Sequence, residues 1–323
     1  MSNPADGIAR LAHEVDRLCQ NMGLVIQGKP EVVRNAVLCL LAEGHLLLED
    51  VPGTGKTSLA RALASSISLT WHRIQFTPDL LPSDVTGVSI YNQRTQEFEF
   101  KRGPVFANIV LADEVNRASP KTQSALLEVM EEGTLSTDGL VHNMATPFMV
   151  VATQNPIDME GTYVLPEAQL DRFLMKLSVG YPSAEAEAEI LRTQKMGGTV
   201  AHLLPVLAAE DVAAMIGIVK QVEVAPVLEE YIVAISTATR SMSELRLGVS
   251  PRGSLALLRA ARAAAAAAGR AYVVPEDVKT MAPVILAHRV ILQPDAELQG
   301  RTGTQLIGRA VQSVPVPRNA HAG

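Results

Sequence analysis

The residues Gly53-Thr54-Gly55-Lys56-Thr57 have the types and spacing of a polyphosphate cradle. Glycines let backbone N–H groups turn toward phosphate oxygens without a Cβ in the way. The adjoining Lys56 can reach β- and γ-phosphates, and the Thr57 hydroxyl can ligate Mg2+. Asp50 stands where the general pattern has glycine. Taken alone, the loop could also be a chance glycine turn before a helix. Further along, the apolar run Ala107-Asn108-Ile109-Val110-Leu111-Ala112 ends in Asp113-Glu114. A carboxylate there can hold Mg2+, and its neighbour can polarise an attacking water as general base. Adjacent carboxylates also occur by chance at surface strand ends. A third run, Pro147-Phe148-Met149-Val150-Val151-Ala152-Thr153-Gln154-Asn155, places the Asn155 amide where it can orient a water near the γ-phosphate.

These groups need strands and helices to hold them. Leu46-Leu47-Leu48 reads as a short buried parallel strand, and 57–64 as a helix with Leu59, Ala62 and Leu63 on one face. Strand, glycine loop and helix start together make an anion site, because the helix N-terminus adds partial positive charge. Residues 71–76 and 173–177 read as further strands, and Ser119-Pro120 as a helix opening with serine as N-cap. Residues 8–22 and 31–43 carry helical apolar periodicity. The β-like runs 88–91 and 97–100 predict a hairpin within the Pro/Gly-rich stretch 77–104, the alternative being a long surface loop. Asp138-Gly139 predicts a second hairpin within 133–143. After a hinge at Tyr181-Pro182-Ser183, helices are expected over 184–195, 209–222, 229–242, 253–269 and 275–288, with Leu255, Leu258 and Ala261 core-facing in the fourth. The stretch from Gly300, with Pro315 and Pro317, is expected to fray.

Composition narrows the class. The 323 residues are 47% hydrophobic and 19% charged, so the chain can bury a core and is not of a disordered type. A net charge of −6 gives no basic field for general nucleic-acid binding. No run of 18 apolar residues predicts a membrane span, and the polar first ten residues predict no secretory signal. Cys19 and Cys39 lack metal-ligand spacing and read as buried thiols of a reducing compartment, consistent with a cytoplasmic location.

With these motifs in view, the chain resembles the MoxR family of AAA+ ATPases from about residue 28 to 292. The likeness is carried by Glu49-Asp50-Val51-Pro52-Gly53-Thr54-Gly55-Lys56-Thr57, Phe76-Thr77-Pro78-Asp79-Leu80-Leu81-Pro82-Ser83-Asp84, Ala112-Asp113-Glu114-Val115-Asn116-Arg117-Ala118, Ala152-Thr153-Gln154-Asn155-Pro156, Leu165-Pro166-Glu167-Ala168-Gln169-Leu170-Asp171-Arg172-Phe173 and Ser250-Pro251-Arg252. Asp50 is similar to what this family carries. Lys29 departs from it, because many relatives have glutamine there.

The resemblance implies an α/β core at 1–181, with a parallel five-stranded sheet in order 5-1-4-3-2 between helices. Insert hairpins are implied at about 84–104 and 133–146, then a helical lid at 182–300 and a flexible tail at 301–323. It implies ATP and Mg2+ as ligands. Gly28, Pro52, Gly53, Thr54, Gly55, Lys56, Thr57 and Ser58 would contact the nucleotide, and Thr57 and Asp113 the metal. Glu114 would be the base, Asn155 the first sensor, Arg172 an arginine finger reaching a neighbouring subunit's nucleotide, and Arg252 a second sensor on the lid. The alternative for Arg172 is a surface ion pair with Asp171, and for Arg252 an ordinary helix-start residue. Gln75 could tether Glu114 at rest or be a simple exposed glutamine. The implied function is an ATP-hydrolysing ring, hexameric in the family's manner. It would remodel or mature partner proteins, often with von Willebrand A domains, in a chaperone-like way or for metal-cofactor insertion. Alternatives are the motor subunit of a metal chelatase and a nucleotide-gated scaffold, the latter disfavoured by an intact Glu114. A DNA-unwinding motor is weaker still, since neither hairpin is strongly basic.

Overall fold

The computed structural model describes residues 4–50, 53–155, 162–163, 165–195 and 203–317. Helices α1 (Pro4–Gly23) and α2 (Pro30–Leu41) precede β1 (Leu46–Glu49), α3 (Lys56–Ser66) and β2 (Trp71–Gln75). A short α4 (Pro82–Thr86) leads into the ribbon β3 (Gly87–Asn92) and β4 (Glu97–Arg102), then β5 (Ile109–Asp113) and α5 (Pro120–Glu132). A second ribbon, β6 (Thr134–Thr137) and β7 (Leu140–Asn143), precedes β8 (Met149–Gln154), α6 (Glu167–Leu170) and β9 (Met175–Leu177). The rest is mainly helical: α7 (Ala184–Lys195), α8 (Ala209–Lys220), α9 (Pro226–Arg240), β10 (Leu245–Leu247), α10 (Pro251–Ala267), α11 (Pro275–Leu286), β11 (Ile291–Leu292), α12 (Pro294–Leu298) and α13 (Gly303–Ser313).

Five strands form one sheet in the order β2-β5-β8-β1-β9, every neighbour parallel. Numbered within the sheet alone, this is the expected 5-1-4-3-2 read from the other edge. β5 is buried along its whole length and β8 in all but its last residue, because helices cover both faces of a parallel sheet. β2 is the edge strand and buries only Ile74. Both expected hairpins form outside this sheet, and Asp138 (φ 51°) and Gly139 (φ 76°) make the positive-φ turn of the second.

The helical half packs on the core through α10. Its buried alanines, among them Ala260, Ala261, Ala263 and Ala267, let it lie against α1 and α2. Arg259 Nε donates to the Ala42 carbonyl (3.1 Å) and Nη2 to the Glu43 carbonyl (2.6 Å), satisfying acceptors that the end of α2 leaves open. Two expectations are corrected here. Leu255 is 61% exposed, and its neighbour Leu257 fills the core position instead. In an alanine-rich helix most faces look equally apolar, so periodicity chose the wrong leucine. Residues 303–313 do not fray either: α13 starts with a Thr302/Gln305 capping box, buries Leu306, Ile307 and Ala310, and packs on α9 and α11. Of the two unpaired thiols, Cys39 is buried and Cys19 half-buried. Burial pushes Cys39 up to about 12 and Cys19 to about 11, so both stay protonated and unreactive.

His45 locks three elements together ahead of β1. The Val150 N–H of β8 donates to its Nδ1 (2.9 Å), so Nδ1 is the bare nitrogen and Nε2 donates to the Met130 carbonyl of α5 (2.9 Å). Burial disfavours the cation and lowers its pKa from 6.5 to about 4. The unfolded chain therefore takes up this proton more readily between those two values. The His45 contribution is complete above the unfolded pKa and is lost as pH falls toward the folded one, by roughly 3 kcal/mol in all. Burial shifts His288 the same way. Urea unfolding between pH 7 and pH 4.5 should show stability falling with acid in the wild type and falling less steeply in His45→Gln. Equal slopes would contradict the assignment.

Candidate active site

The loop after β1 turns through Gly53 (φ 86°) and Gly55 (φ 89°), both in the left-handed region that a Cβ disfavours. A Cβ at either would meet no heavy atom of the described residues within 4 Å, which leaves the space in front of the loop open among them. α3 begins at Lys56 with no side-chain cap on its N-terminus, an end whose backbone donors favour an anion. A cleft of about 360 Å³ lies there. Gly53, Gly55, Lys56, Thr57 and Ser58 line it from the loop and α3, Asp113 and Glu114 from β5, and Thr153, Gln154 and Asn155 from β8. Three strand ends that are far apart in sequence thus meet over the glycine loop, as parallel order places them. Thr54, within the loop, is buried and does not line the cleft, and Pro52 lies outside the described residues.

Lys56 Nζ donates to the Asp50 carbonyl (2.7 Å). Burial pulls the Lys56 pKa below its usual range, while Asp50, Asp113 and Glu114 pull it back up. The Asp50 carboxylate accepts from the Ser178 hydroxyl (3.1 Å) and the Gly180 N–H (2.5 Å). The residue that replaces a loop glycine therefore ties the end of β1 to the segment after β9. Gly28 does not line the cleft. It sits against Ala186 of α7, beside Lys29, whose Nζ donates to the Tyr181 carbonyl (2.8 Å).

Both carboxylates at the end of β5 are held by named partners. Asp113 is 8% exposed. Its Oδ1 accepts from the Thr153 hydroxyl (2.5 Å), and its Oδ2 from Arg73 Nη2 (2.6 Å) and Nε (3.1 Å). The same Thr153 oxygen accepts the Glu114 N–H (2.9 Å), so one fully buried hydroxyl fixes both residues. Glu114 has φ 55°, a conformation unfavourable for a glutamate that persists only where the surroundings impose it. Its Oε2 accepts from Gln75 Nε2 (3.1 Å) and Arg117 Nη1 (2.9 Å). The tether to Gln75 is thus present. The Asn155 carbonyl accepts from Asn116 Nδ2 (3.2 Å), and buried Gln123 donates to the carbonyls of Val115, Ala118 and Tyr163, which steadies the turn after β5.

Arg172 and Arg252 do not line this cleft. Arg172 Nη2 lies 2.9 Å from Glu131 Oε2, and Arg252 Nη2 lies 2.7 Å from Glu131 Oε1. Asp171, considered as the partner of Arg172, instead pairs with Arg289 Nε (2.7 Å). Arg289 is almost wholly enclosed and also donates to the carbonyls of Phe173 (2.6 Å) and Leu174 (3.1 Å). Burial lowers its pKa to about 10 and Asp171 opposes the shift, so it is a cation at neutral pH.

Sequence reasoning missed Arg73, Thr153, Gln123 and Glu131. For Arg73 a signal existed, since residues 73 and 75 share one face of an exposed-edge strand. The cleft can take a triphosphate along the glycine loop. The Thr57 hydroxyl from α3 and the Asp113 carboxylate from β5 are hard oxygen donors that both line it, a set that fits Mg2+.

The comparisons agree with this geometry. Residues 45–175 match the family described as ATPase family associated with various cellular activities (AAA), and residues 237–309 match the AAA lid domain. A crystal structure from Cytophaga hutchinsonii described as a putative ATPase superposes with a TM-score of 0.89 at 39% identity, covering 97% of this chain and 98% of that one. The fold and cleft are those of an AAA+ ATPase. The chain is 42% identical to Chaperone MoxR1 of Mycobacterium tuberculosis, over 97% of its own length and 85% of the relative's. It is 32% identical to Protein MoxR of Paracoccus denitrificans over 91% and 93%, and 51% identical to the uncharacterized YeaC of Bacillus subtilis over 92% and 93%. The chain belongs to the MoxR family of AAA+ ATPases. Among the described residues no helix is long and apolar enough to cross a membrane.

Substitutions should separate binding from turnover. Lys56→Ala should remove most affinity for a fluorescent ATP analogue, whereas Glu114→Gln should keep it and lose hydrolysis by roughly 10²-fold or more. Thr153→Val, which keeps the shape and removes the hydroxyl, should keep affinity and slow turnover by roughly tenfold through misplacement of both carboxylates. Wild-type turnover in Thr153→Val would show that the hydroxyl does not set their positions.

Proposed function

We propose that this protein hydrolyses Mg2+-ATP in a ring of copies, hexameric as in its family, with each site completed by the next copy, and that the cycle remodels partner proteins. The observation that carries this reading is a division of labour. The loop, both carboxylates and Asn155 share one cleft, while Arg172 and Arg252 stand together elsewhere on Glu131. In this reading Lys56 and the α3 N-terminus hold the phosphates, and Thr57 and Asp113 are the metal ligands. Bound Mg2+ would neutralise charge on the β- and γ-phosphates. Glu114 takes a proton from the attacking water and Asn155 orients that water. Gln75 and Arg117 restrain Glu114 at rest. Arg172, and Arg252 beside it, then supply positive charge to the γ-phosphate of the neighbouring copy.

Remodelling is supported by the ribbons. β3–β4 exposes Val88, Ile90, Tyr91 and Phe98, and β6–β7 exposes Leu140 and Val141. The two ribbons pack together through a Phe100–His142 stack at 4.5 Å. β4 leads through residues 103–108 into β5, whose far end carries the carboxylates, so in this reading a displaced ribbon acts on the cleft along that strand. The name of the mycobacterial relative, a chaperone, agrees with this. The partners we infer are proteins with von Willebrand A domains, met in the cytoplasm; a metal cofactor would be inserted as their cargo.

Turnover per subunit of the wild type should rise with protein concentration as copies assemble. Arg172→Ala should bind ATP normally and hydrolyse it roughly 10³-fold more slowly or worse. Concentration-independent turnover, or an unimpaired Arg172→Ala, would refute the shared site. Glu114→Gln loaded with ATP should retain partner proteins in a pull-down, and recovery of none with a von Willebrand A domain would refute that partner class.

A further inference from the structure

Glu131 lies in the last turn of α5, where the helix dipole disfavours a carboxylate and no basic residue of that turn offsets it. Arg252 lies in the first turn of α10, where the dipole disfavours a cation. Each residue is at the unfavourable end of its own helix, yet the fold brings the two together at 2.7 Å and adds Arg172 at 2.9 Å on the other oxygen. An isolated surface pair contributes little to stability. This arrangement is different in kind: two guanidinium groups, one from the segment before β9 and one from the helical half, would repel each other without an anion between them. Neighbouring contacts fix the same junction. The Ser250 hydroxyl that caps α10 donates to Asp171 Oδ2 (3.4 Å), and Arg289 holds Asp171 Oδ1. Nothing in the cleft chemistry uses Glu131.

We propose that Glu131 is a positioning residue that clips Arg172 and Arg252 into one two-pronged cationic unit for the γ-phosphate of a neighbouring copy. Each arginine engages Glu131 through Nη2. A guanidinium has donors on three nitrogens, so Nη1 and Nε can meet a phosphate without the clip opening. The two prongs come from the core and from the helical half, so the clip also makes their joint placement depend on how those two parts sit together. This inference rests on the reading of Arg172 as an arginine that acts across an interface.

The test is steady-state ATP hydrolysis by the full chain at a concentration where turnover per subunit has levelled off, alongside binding of a fluorescent ATP analogue. Glu131→Gln keeps the shape and removes the charge; it should lower kcat roughly tenfold, the scale of a misplaced catalytic group, with analogue affinity unchanged. Glu131→Asp, with the charge retained one methylene shorter, should recover part of the loss. In an Arg172→Ala, Arg252→Ala background, Glu131→Gln should add almost no further loss, because both groups it positions are gone. A purely structural role would instead multiply the two losses and lower analogue affinity. Wild-type kcat in Glu131→Gln beside a slow Arg172→Ala would overturn the clip alone. An unimpaired Arg172→Ala would overturn the interfacial reading and the clip with it.

Discussion

β5 runs buried from Ile109 to Asp113, and the chain must leave it with two carboxylates side by side. A carboxylate at the mouth of such a strand is costly unless its oxygens are occupied. Thr153 answers this from β8, one strand away, by donating to Asp113 while accepting the Glu114 N–H. The left-handed backbone at Glu114 turns its side chain out of the sheet, where Gln75 and Arg117 hold it. The parallel pairing of β5 with β2 and β8 supplies Gln75 and Thr153, and the turn after β5 supplies Arg117. The order of the strands and the chemistry of the cleft are therefore one constraint seen twice.

A second constraint ties the helical half to the core. Arg289 follows α11 yet is almost wholly enclosed, paired with Asp171 and bonded to the backbone leading into β9. Removing one partner of such a pair leaves an uncompensated buried charge, which is strongly destabilising. Arg172 is the next residue, so its position is set by an ion pair in which it takes no part. Arg259, on the carbonyls at the end of α2, anchors the same half from another side. A change in the angle between the halves must act on these anchors, and through them on both arginines at Glu131.

The sheet order followed only from the family resemblance, whereas the glycine loop, the Asp113-Glu114 strand end and both hairpins were legible because each is written within one short stretch. Their apolar runs, turn residues and spacing are local. The partners of those residues were not legible. Arg73 lies 40 positions from Asp113, and Glu131 lies 121 from Arg252, and only crossover connections bring them together. The role of Asp50 was hidden for the same reason, since Gly180 is 130 positions away. Leu255 was misplaced because alanines blur the faces of α10. α13 was overlooked because Pro315 and Pro317 drew attention from the Thr302-x-x-Gln305 box in front of Leu306 and Ile307.

The central claim is that one copy holds the phosphates and the base while another supplies the arginines. The most direct measurement mixes Lys56→Ala with Arg172→Ala, each nearly inactive alone, and follows ATP hydrolysis as the ratio is varied. Mixed assemblies contain interfaces with an intact loop on one side and an intact arginine on the other. Activity should therefore return, with a maximum at intermediate ratios. If mass measurements show that the two variants co-assemble and the mixture hydrolyses no more ATP than its separate parts, the site is not shared.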